Sequence, residues 1–444
     1  MGRPSRSQAL NVWMNGERVG VWHLPNRRAP EFVYDPAWLE SPAFRPLSLS
    51  LPATPVSPVV RGEQVNAFFD NLLPDSEAIR RRLQQRFKTA SREAFDLLAA
   101  VGRDCVGAVQ LLPVDESPAD ITRIEARPLD DEAVEKVLIN ATATSGWPGQ
   151  ADEDDFRISI AGAQEKTALL WHEGRWCRPL GATPTTHLFK LPMGLVGNRQ
   201  ADMRTSVENE WLCAKVLQAF DIPVARCEIK EFGQQKCLVV ERFDRKLHSS
   251  GAYWLRLPQE DFCQATGTPP HLKYEADSGP GMVDICKLLA HSEERDRDLR
   301  TFFKTQILFW MLRATDGHAK NFSLFLLPGG RYRMTPMYDV LSAWPVIGNS
   351  ANRIPPQKVR LAQAWLGKNK HYLAEGIQPR HFDVTALKCG LGGRAREVVG
   401  ELVSTVPQAI AAVTLSLPTG FPQDVADAVL GGLQRSADRL ALGV

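Results

Sequence analysis

The 444-residue sequence predicts an α+β fold of two lobes, an N-terminal α/β lobe with a mostly antiparallel sheet and a mainly helical C-terminal lobe. Two observations predict it. Strand-like runs joined by short turns recur up to residue 258, whereas helical periodicity dominates beyond residue 260. Within the second half, DLRTFFKTQILFWMLRA is apolar on nearly every side and so belongs at the centre of its lobe.

The first element is NVWMNGERVGVW, where Asn15-Gly16 can take the positive φ angles of a type I′ hairpin turn between two β-rich runs. After a Pro-rich stretch from Pro46 to Pro58, VNAFFDNLL places Val65, Phe68, Phe69 and Leu72 on one helical face. AFDLLAAVG repeats the pattern, and VGAVQLLP then turns extended, so residues 1–113 read as one α/β unit. The basic run Arg80–Arg82 falls in a helical stretch and is expected on a solvated face.

A helix near 130–139 leads into TSGWPGQADEDDF, rich in Gly, Pro and acid, and residues 114–156 are expected to be a helix and linker. From 157 to 258 the pattern is strand and turn: RISI, AGAQEK, TALLW, THLFKL and KCLVVERF, interrupted by one main helix. Thr205 and Glu208 have the spacing of a capping box at the start of that helix, whose Val207, Trp211, Ala214 and Leu217 line one face. Residues 259–444 form the helical lobe.

With 53 Lys+Arg against 51 Asp+Glu, the chain lacks the basic excess of a dedicated nucleic-acid coat. Its eight cysteines show no CxxC and no zinc spacing, and are expected to be reduced core residues of a cytoplasmic protein. No stretch reaches the roughly 18 apolar residues of a membrane span, so no membrane association is expected.

The chemistry concentrates in ATDGHAKNFSLFLL, which contains Asp316, His318 and Asn321. Asp-x-x-x-x-Asn is the spacing of protein-kinase catalytic loops, where the Asp receives a substrate hydroxyl and the Asn binds Mg²⁺. The runs on either side of Pro328-Gly329-Gly330 should form a hairpin that sets residue 338 or 339 opposite residue 320 or 321. That register would bring Asn321 and Asp339 together with Asp316 close by, an oxygen set that suits Mg²⁺. His318 is either a scaffold or a ligand contact.

AGAQEK offers small residues, Ala161, Gly162 and Ala163, whose backbone N–H groups could approach an anion, although the segment taken alone favours an ordinary hairpin turn. Lys190 in THLFKLP either pairs with phosphates or snorkels to an edge. In VVERFDR, Glu241, Phe243 and Asp244 stand where a two-lobed kinase has its adenine-reading hinge, or else form a strand-end ion-pair cluster with Arg242 and Arg245.

Taken together, PLSLSLP, FFDNLLPDS, FRISIAGAQEKTALL, PTTHLFKLP, VERFDR, LRLPQED, KYEADSGPG, ATDGHAKNFS and the YDV containing Asp339 closely resemble the HipA family. These are serine/threonine-kinase toxins of type II toxin–antitoxin systems. The resemblance implies a two-lobed kinase-like fold that uses ATP and Mg²⁺. It implies Asp316 as catalytic Asp, Asn321 and Asp339 as Mg²⁺ ligands and Lys190 as the phosphate-binding lysine. Glu241 and Phe243 would contact adenine through their backbones, with Asp244 and Gln259 holding or supporting the nucleotide. Ser159 matches the family's inhibitory autophosphorylation serine. The implied partners are a HipB-like helix-turn-helix antitoxin, operator DNA bound by the joint complex, and glutamyl-tRNA synthetase as substrate. A rival reading is a nucleotide-binding co-repressor with little phosphoryl transfer.

Overall fold

Asn15 and Gly16 take φ values of 46° and 85°, the two left-handed positions of the expected type I′ turn, and join β1 (Gln8–Met14) to β2 (Glu17–Leu24). The structure, a computed structural model, describes residues 8–26, 28–142, 159, 161–162, 164–197 and 200–442. The sheet continues through β3 (Glu31–Tyr34), α1 (Pro36–Glu40) and β4 (Val59–Arg61). After α2 (Glu63–Asp70), α3 (Glu77–Phe87) and α4 (Ala94–Val101), β5 (Val109–Pro113) closes an antiparallel sheet of order β4-β3-β2-β1-β5. Its core is aromatic, with Trp22 stacked on Phe69 at 4.1 Å. The basic run departs from expectation. Only Arg81 is exposed, because Arg80 is buried against Asp70 at 2.6 Å and Arg82 reaches Glu165 of the neighbouring unit.

The second unit begins with β6 (Ala126–Pro128) and α5 (Asp131–Thr142), followed by β7 (Lys166–His172), β8 (Arg175–Pro179) and β9 (His187–Lys190). The acidic linker and most of RISI lie outside the described residues. A two-residue ladder, β10 (Leu195–Val196) with β11 (Ala201–Asp202), precedes α6 (Ser206–Ala219). β12 (Cys227–Phe232) and β13 (Gln235–Glu241) complete an antiparallel sheet of order β12-β13-β9-β7-β8-β6. The capping box does not form. Thr205 makes no side-chain cap bond, and Glu208 is drawn instead to Lys236 at 2.9 Å, because α6 is buried on almost every side.

β14 (Arg245–Leu247) and β15 (Trp254–Arg256) pair beyond the sheet, and β16 (Gln259–Asp261) opens the second lobe. There follow α7 (Phe262–Ala265), α8 (Met282–Leu289) and α9 (Arg295–Leu312), the expected central helix, which buries Phe302, Phe303, Ile307, Leu308, Trp310 and Met311. β17 (Ser323–Leu326) and β18 (Tyr332–Met334) extend β16 into a three-stranded sheet. A second hairpin, β19 (Arg360–Leu366) with β20 (Lys370–Leu373), adds strands to the mainly helical lobe that the sequence reading did not place. LAQAWL is buried on both faces and so shows no alternation to mark it as a strand.

Three helices end the fold: α10 (Pro379–Lys388), α11 (Ala395–Leu415) and α12 (Gln423–Ala441). Among the described residues α11 alone is long and apolar enough to cross a membrane. In this fold it buries Val398, Val399, Leu402 and Val406 in the largest core and carries Pro407 within it. All eight cysteines are free thiols, and Cys227 alone is not fully buried.

Candidate active site

One cleft is lined by segments from all three parts of the fold: Asn71 to Asp75 after α2, the ends of β7 and β9, and the stretch from Asp316 to Asp339. Lys190 supplies its central cation. The strand β9 carries it inward, only 4% exposed, where Nζ donates to Glu210 Oε1 at 2.5 Å and to Asp339 Oδ1 at 2.9 Å. Burial opposes the lysine's charge, but Asp339 and Glu210 outweigh that and raise its pKa above the ordinary value. In Asp339 burial likewise opposes ionisation, and Lys190 and Lys166 hold the carboxyl well below the usual carboxylate range. Lysine and aspartate are therefore both ionised at neutral pH.

Lys166 lies directly opposite Lys190 in the β7–β9 register. Burial lowers its pKa to about 8, with the Lys190 charge adding to the effect and Asp339 opposing it. Its side chain packs against Gly162, whose φ of +108° and missing Cβ leave room for the ammonium group. The AGAQEK segment folds back on the N-terminal unit, since Gly162 O accepts from Asp75 N at 3.1 Å. Ala161 and Gly162 line the cleft, and Ala163 lies outside the described residues. Ser159 is fully buried, not on a strand, and its hydroxyl donates to Leu72 O at 2.7 Å.

Asp316 sits in the turn after α9 with its side chain half exposed. Tyr274 donates its hydroxyl to Asp316 Oδ1, and His318 Nε2 lies 3.7 Å from the same oxygen. His318 is buried, which lowers its pKa, and its Nδ1 has no hydrogen-bond partner among the described residues. Asn321 Nδ2 donates to Asp316 O at 2.7 Å, so the amide oxygen remains as the acceptor. Below this turn Asp75 bridges Lys273 and Lys320, each at 2.7 Å. Burial opposes the Asp75 charge, but the two lysines bring its pKa down to about 2.

The hairpin register pairs Leu324 with Met334, which by extension sets residue 338 opposite residue 320. The ladder itself ends earlier. Met337 turns away to pair with the segment before β12, its N–H donating to Pro223 O at 2.7 Å. Tyr338 still reaches Lys320 O at 2.8 Å, and Asp339 adopts a left-handed φ of 59°. Asn321 and Asp339 thus line the same cleft by a turn, not by ladder pairing.

At the other end of the cleft the two readings of VVERFDR divide between residues. Asp244 is spent within the protein, accepting from Arg242 at 2.8 Å, Arg245 at 3.1 Å and Gly107 N at 2.7 Å. Asp104 joins this cluster through Arg245 at 2.9 Å and Arg256 at 3.1 Å. Glu241 donates its N–H to Arg226 O at 2.8 Å, and the Phe243 ring packs on Tyr338 at 5.7 Å. Gln259 is buried beside them with no partner for its Oε1 among the described residues.

The residues fit a magnesium ion by donor chemistry. Asn321 offers an amide oxygen, and Asp339 keeps Oδ2 beyond its bond to Lys190. Two protein oxygens with phosphate and water completing the shell is the pattern Mg²⁺ favours.

Sequence reasoning missed Glu210, Lys166, Tyr274 and Asp75. Glu210 carried a signal, since it stands three residues after Val207 and four before Ala214, an acid on the apolar face of its helix. Tyr274 and Asp75 carried none, because their partners are distant in the chain.

Comparison with known proteins gives concordant results. Residues 10–112 match the family described as HipA N-terminal domain, and residues 158–410 the HipA-like C-terminal domain. A Sinorhizobium fredii protein named "Putative kinase Y4mE" is 33% identical over 362 residues, covering 80% of this chain and 83% of the relative. The serine/threonine-protein kinase toxin HipA of Shewanella oneidensis is 26% identical over 383 residues, 83% of this chain and 81% of that one. The structure of a Shewanella oneidensis HipA chain, solved with HipB and operator DNA, superposes with a TM-score of 0.78 at 22% identity over 97% of each chain. The α+β, two-lobed kinase-like architecture expected from the sequence is therefore the fold observed.

Proposed function

Because this chain belongs to the HipA family, we propose that it is an ATP- and Mg²⁺-dependent protein serine/threonine kinase acting as the toxin of a type II toxin–antitoxin pair. One observation carries the reading: Lys190 is held between Glu210 and Asp339, at 2.5 and 2.9 Å, in the cleft that Asp316 and Asn321 also line. A strand lysine paired with a helix glutamate, beside a carboxylate that could hold a metal, is the arrangement protein kinases use.

Bound Mg²⁺–ATP supplies the phosphoryl group and most of the charge neutralisation. The chain's own part is positioning. Asn321 and Asp339 would hold the metal, and Lys190 and Lys166 would face the phosphates, with Glu210 fixing the direction of Lys190. Asp316 would receive the acceptor hydroxyl, its carboxylate held by Tyr274. Gln259 Oε1, a buried acceptor with no partner among the described residues, suits a donor on the nucleoside, and the backbone at Glu241 and Phe243 would frame the adenine. The Asp244–Arg242–Arg245 cluster makes that frame rigid and leaves Asp244 in a supporting role.

Ser159 is the proposed autophosphorylation site. Its hydroxyl is inside the protein in this conformation, so modification requires Ser159 to leave its place against Leu72. The structure of the HipA–HipB–operator DNA complex supports a HipB-like antitoxin and, through it, operator DNA as partners; the family resemblance in the sequence adds the cytoplasm as location and glutamyl-tRNA synthetase as substrate. Purified protein incubated with labelled ATP and Mg²⁺, once with that synthetase and once with a cell lysate, tests this. Label on the synthetase supports the substrate. Label on another lysate protein refutes the substrate alone, and no transfer to any protein refutes the kinase reading.

A further inference from the structure

The C-terminal end of α9 gathers a second group of cations, outside the cleft. The Arg313 guanidinium carbon lies 4.8 Å from the Trp310 ring centre and 4.9 Å from that of Trp344. From α12, Arg435 stands 4.9 Å from the Trp344 ring and Arg439 stands 5.6 Å from the Trp310 ring. Cation and indole thus alternate in the order Arg435, Trp344, Arg313, Trp310, Arg439.

The rings are fixed before any ligand arrives. Trp310 Nε1 donates to Ala374 O at 2.9 Å and Trp344 Nε1 to Met311 O at 2.9 Å. Trp344 also lies so close on Gly432 that a Cβ there would fall 2.4 Å from the indole. The guanidinium N–H groups not engaged within the protein can donate to the oxygens of an anion.

Among the described residues the hydrogen-bond acceptors of this stack are uncharged. Arg313 is only 6% exposed and donates to Trp310 O, while Arg439 donates to Glu375 O at 2.6 Å and Ile377 O at 3.1 Å. All of these acceptors are neutral carbonyls. Among the described residues none of the three arginines forms an ion pair. Glu375 is the acid that acts on Arg313, and Asp438 on α12 is taken by the Gln434 amide. Burial, with the charges of Arg439 and Arg435, lowers the Arg313 pKa to about 10. A helix C-terminus accounts for one cation at Arg313, which takes the left-handed φ of 54° usual for glycine. It does not account for Arg435, which is exposed and has no hydrogen-bond partner among the described residues.

We propose that Arg313, Arg435 and Arg439 form a binding site for a phosphate-class oxyanion, held by guanidinium edges that Trp310 and Trp344 keep in place. Both indoles are already covered by arginine, so no base can stack between them. The site reads phosphate and not sequence, whether the phosphate is free or part of a phosphodiester backbone.

Calorimetric titration of the full chain with inorganic phosphate, and separately with a short abasic phosphodiester oligomer at constant ionic strength, tests this. In wild type one binding event is expected that Arg435→Gln/Arg439→Gln weakens by about tenfold or more, the loss of charge-assisted bonds. Arg435→Gln alone changes an exposed residue and keeps the test valid if the double variant does not fold. Preferential loss of the phosphate event assigns the free ion, and preferential loss of the oligomer event assigns the backbone. Unchanged isotherms in both variants, or lowered thermal stability with no change in either isotherm, overturn the proposal and leave a purely structural stack.

Discussion

Lys166 and Lys190 face each other across two adjacent strands, yet Lys190 is clamped by Glu210 and Asp339 while Lys166 has no carboxylate at ion-pair distance among the described residues. Their titration is pushed in opposite directions, Lys190 upward and Lys166 down to about 8. The pair therefore divides the work: one lysine is permanently charged and one is sensitive to pH.

Lys166 is expected to make nucleotide binding pH-dependent. Below pH 8 it is protonated and attracts phosphate, and as pH rises through about 8 it loses its proton and ATP affinity should fall. Lys166→Met should weaken binding at pH 7 and remove that dependence. The same shift has a stability consequence with the opposite slope. A lysine depressed in the folded state destabilises it while charged, and this cost fades as pH rises from 8 toward the ordinary lysine value. Thermal unfolding without nucleotide should accordingly show Lys166→Met more stable than wild type at pH 7, by on the order of 1 kcal/mol because the side chain is only half-buried. Equal pH profiles for wild type and variant would contradict this role.

Glu210→Gln should leave Lys190 paired with Asp339 alone. The expected result is a rise in KM for ATP together with a fall in kcat, about 10- to 100-fold in kcat/KM, since the lysine loses the partner that directs it. Steady-state kinetics decide it, and unchanged values would reduce Glu210 to a packing residue.

Tyr274→Phe removes the donor that holds Asp316 Oδ1. Turnover should drop about tenfold with ATP affinity unchanged. A loss of ATP binding of the same size would place Tyr274 in the nucleotide site instead.

Phosphorylation of Ser159 should be visible as a local opening. A phosphate adds about −1.5 to −2 charge and cannot fit where the hydroxyl now donates to Leu72 O. The modified protein should be cut by trypsin after Lys166 and bind ATP more weakly, and Ser159→Asp should imitate it only in part. Phosphorylated protein with the unmodified digestion pattern and full ATP binding would refute the switch.

Much of this site is written locally in the chain. Asn15-Gly16 announces its turn, an apolar strand announces Lys190, and the Asp316–Asn321 spacing announces the loop. What is not written locally is decided by pairing at long range. Glu208 makes no cap bond because Lys236 on a neighbouring strand draws its carboxylate, and the strand Arg360–Leu366 hides its periodicity because both its faces are covered. Asp75 reaches the Asp316–Asn321 loop from an N-terminal unit separated from it by 245 residues.

Asp316→Ala tests the central claim most directly, in one preparation assayed for transfer from labelled ATP and for ATP binding. The kinase reading predicts that transfer is abolished while ATP affinity stays within about tenfold of wild type, because the residue serves the acceptor hydroxyl and not the nucleotide. Transfer at the wild-type rate would remove Asp316 from the mechanism and with it the site described for this protein.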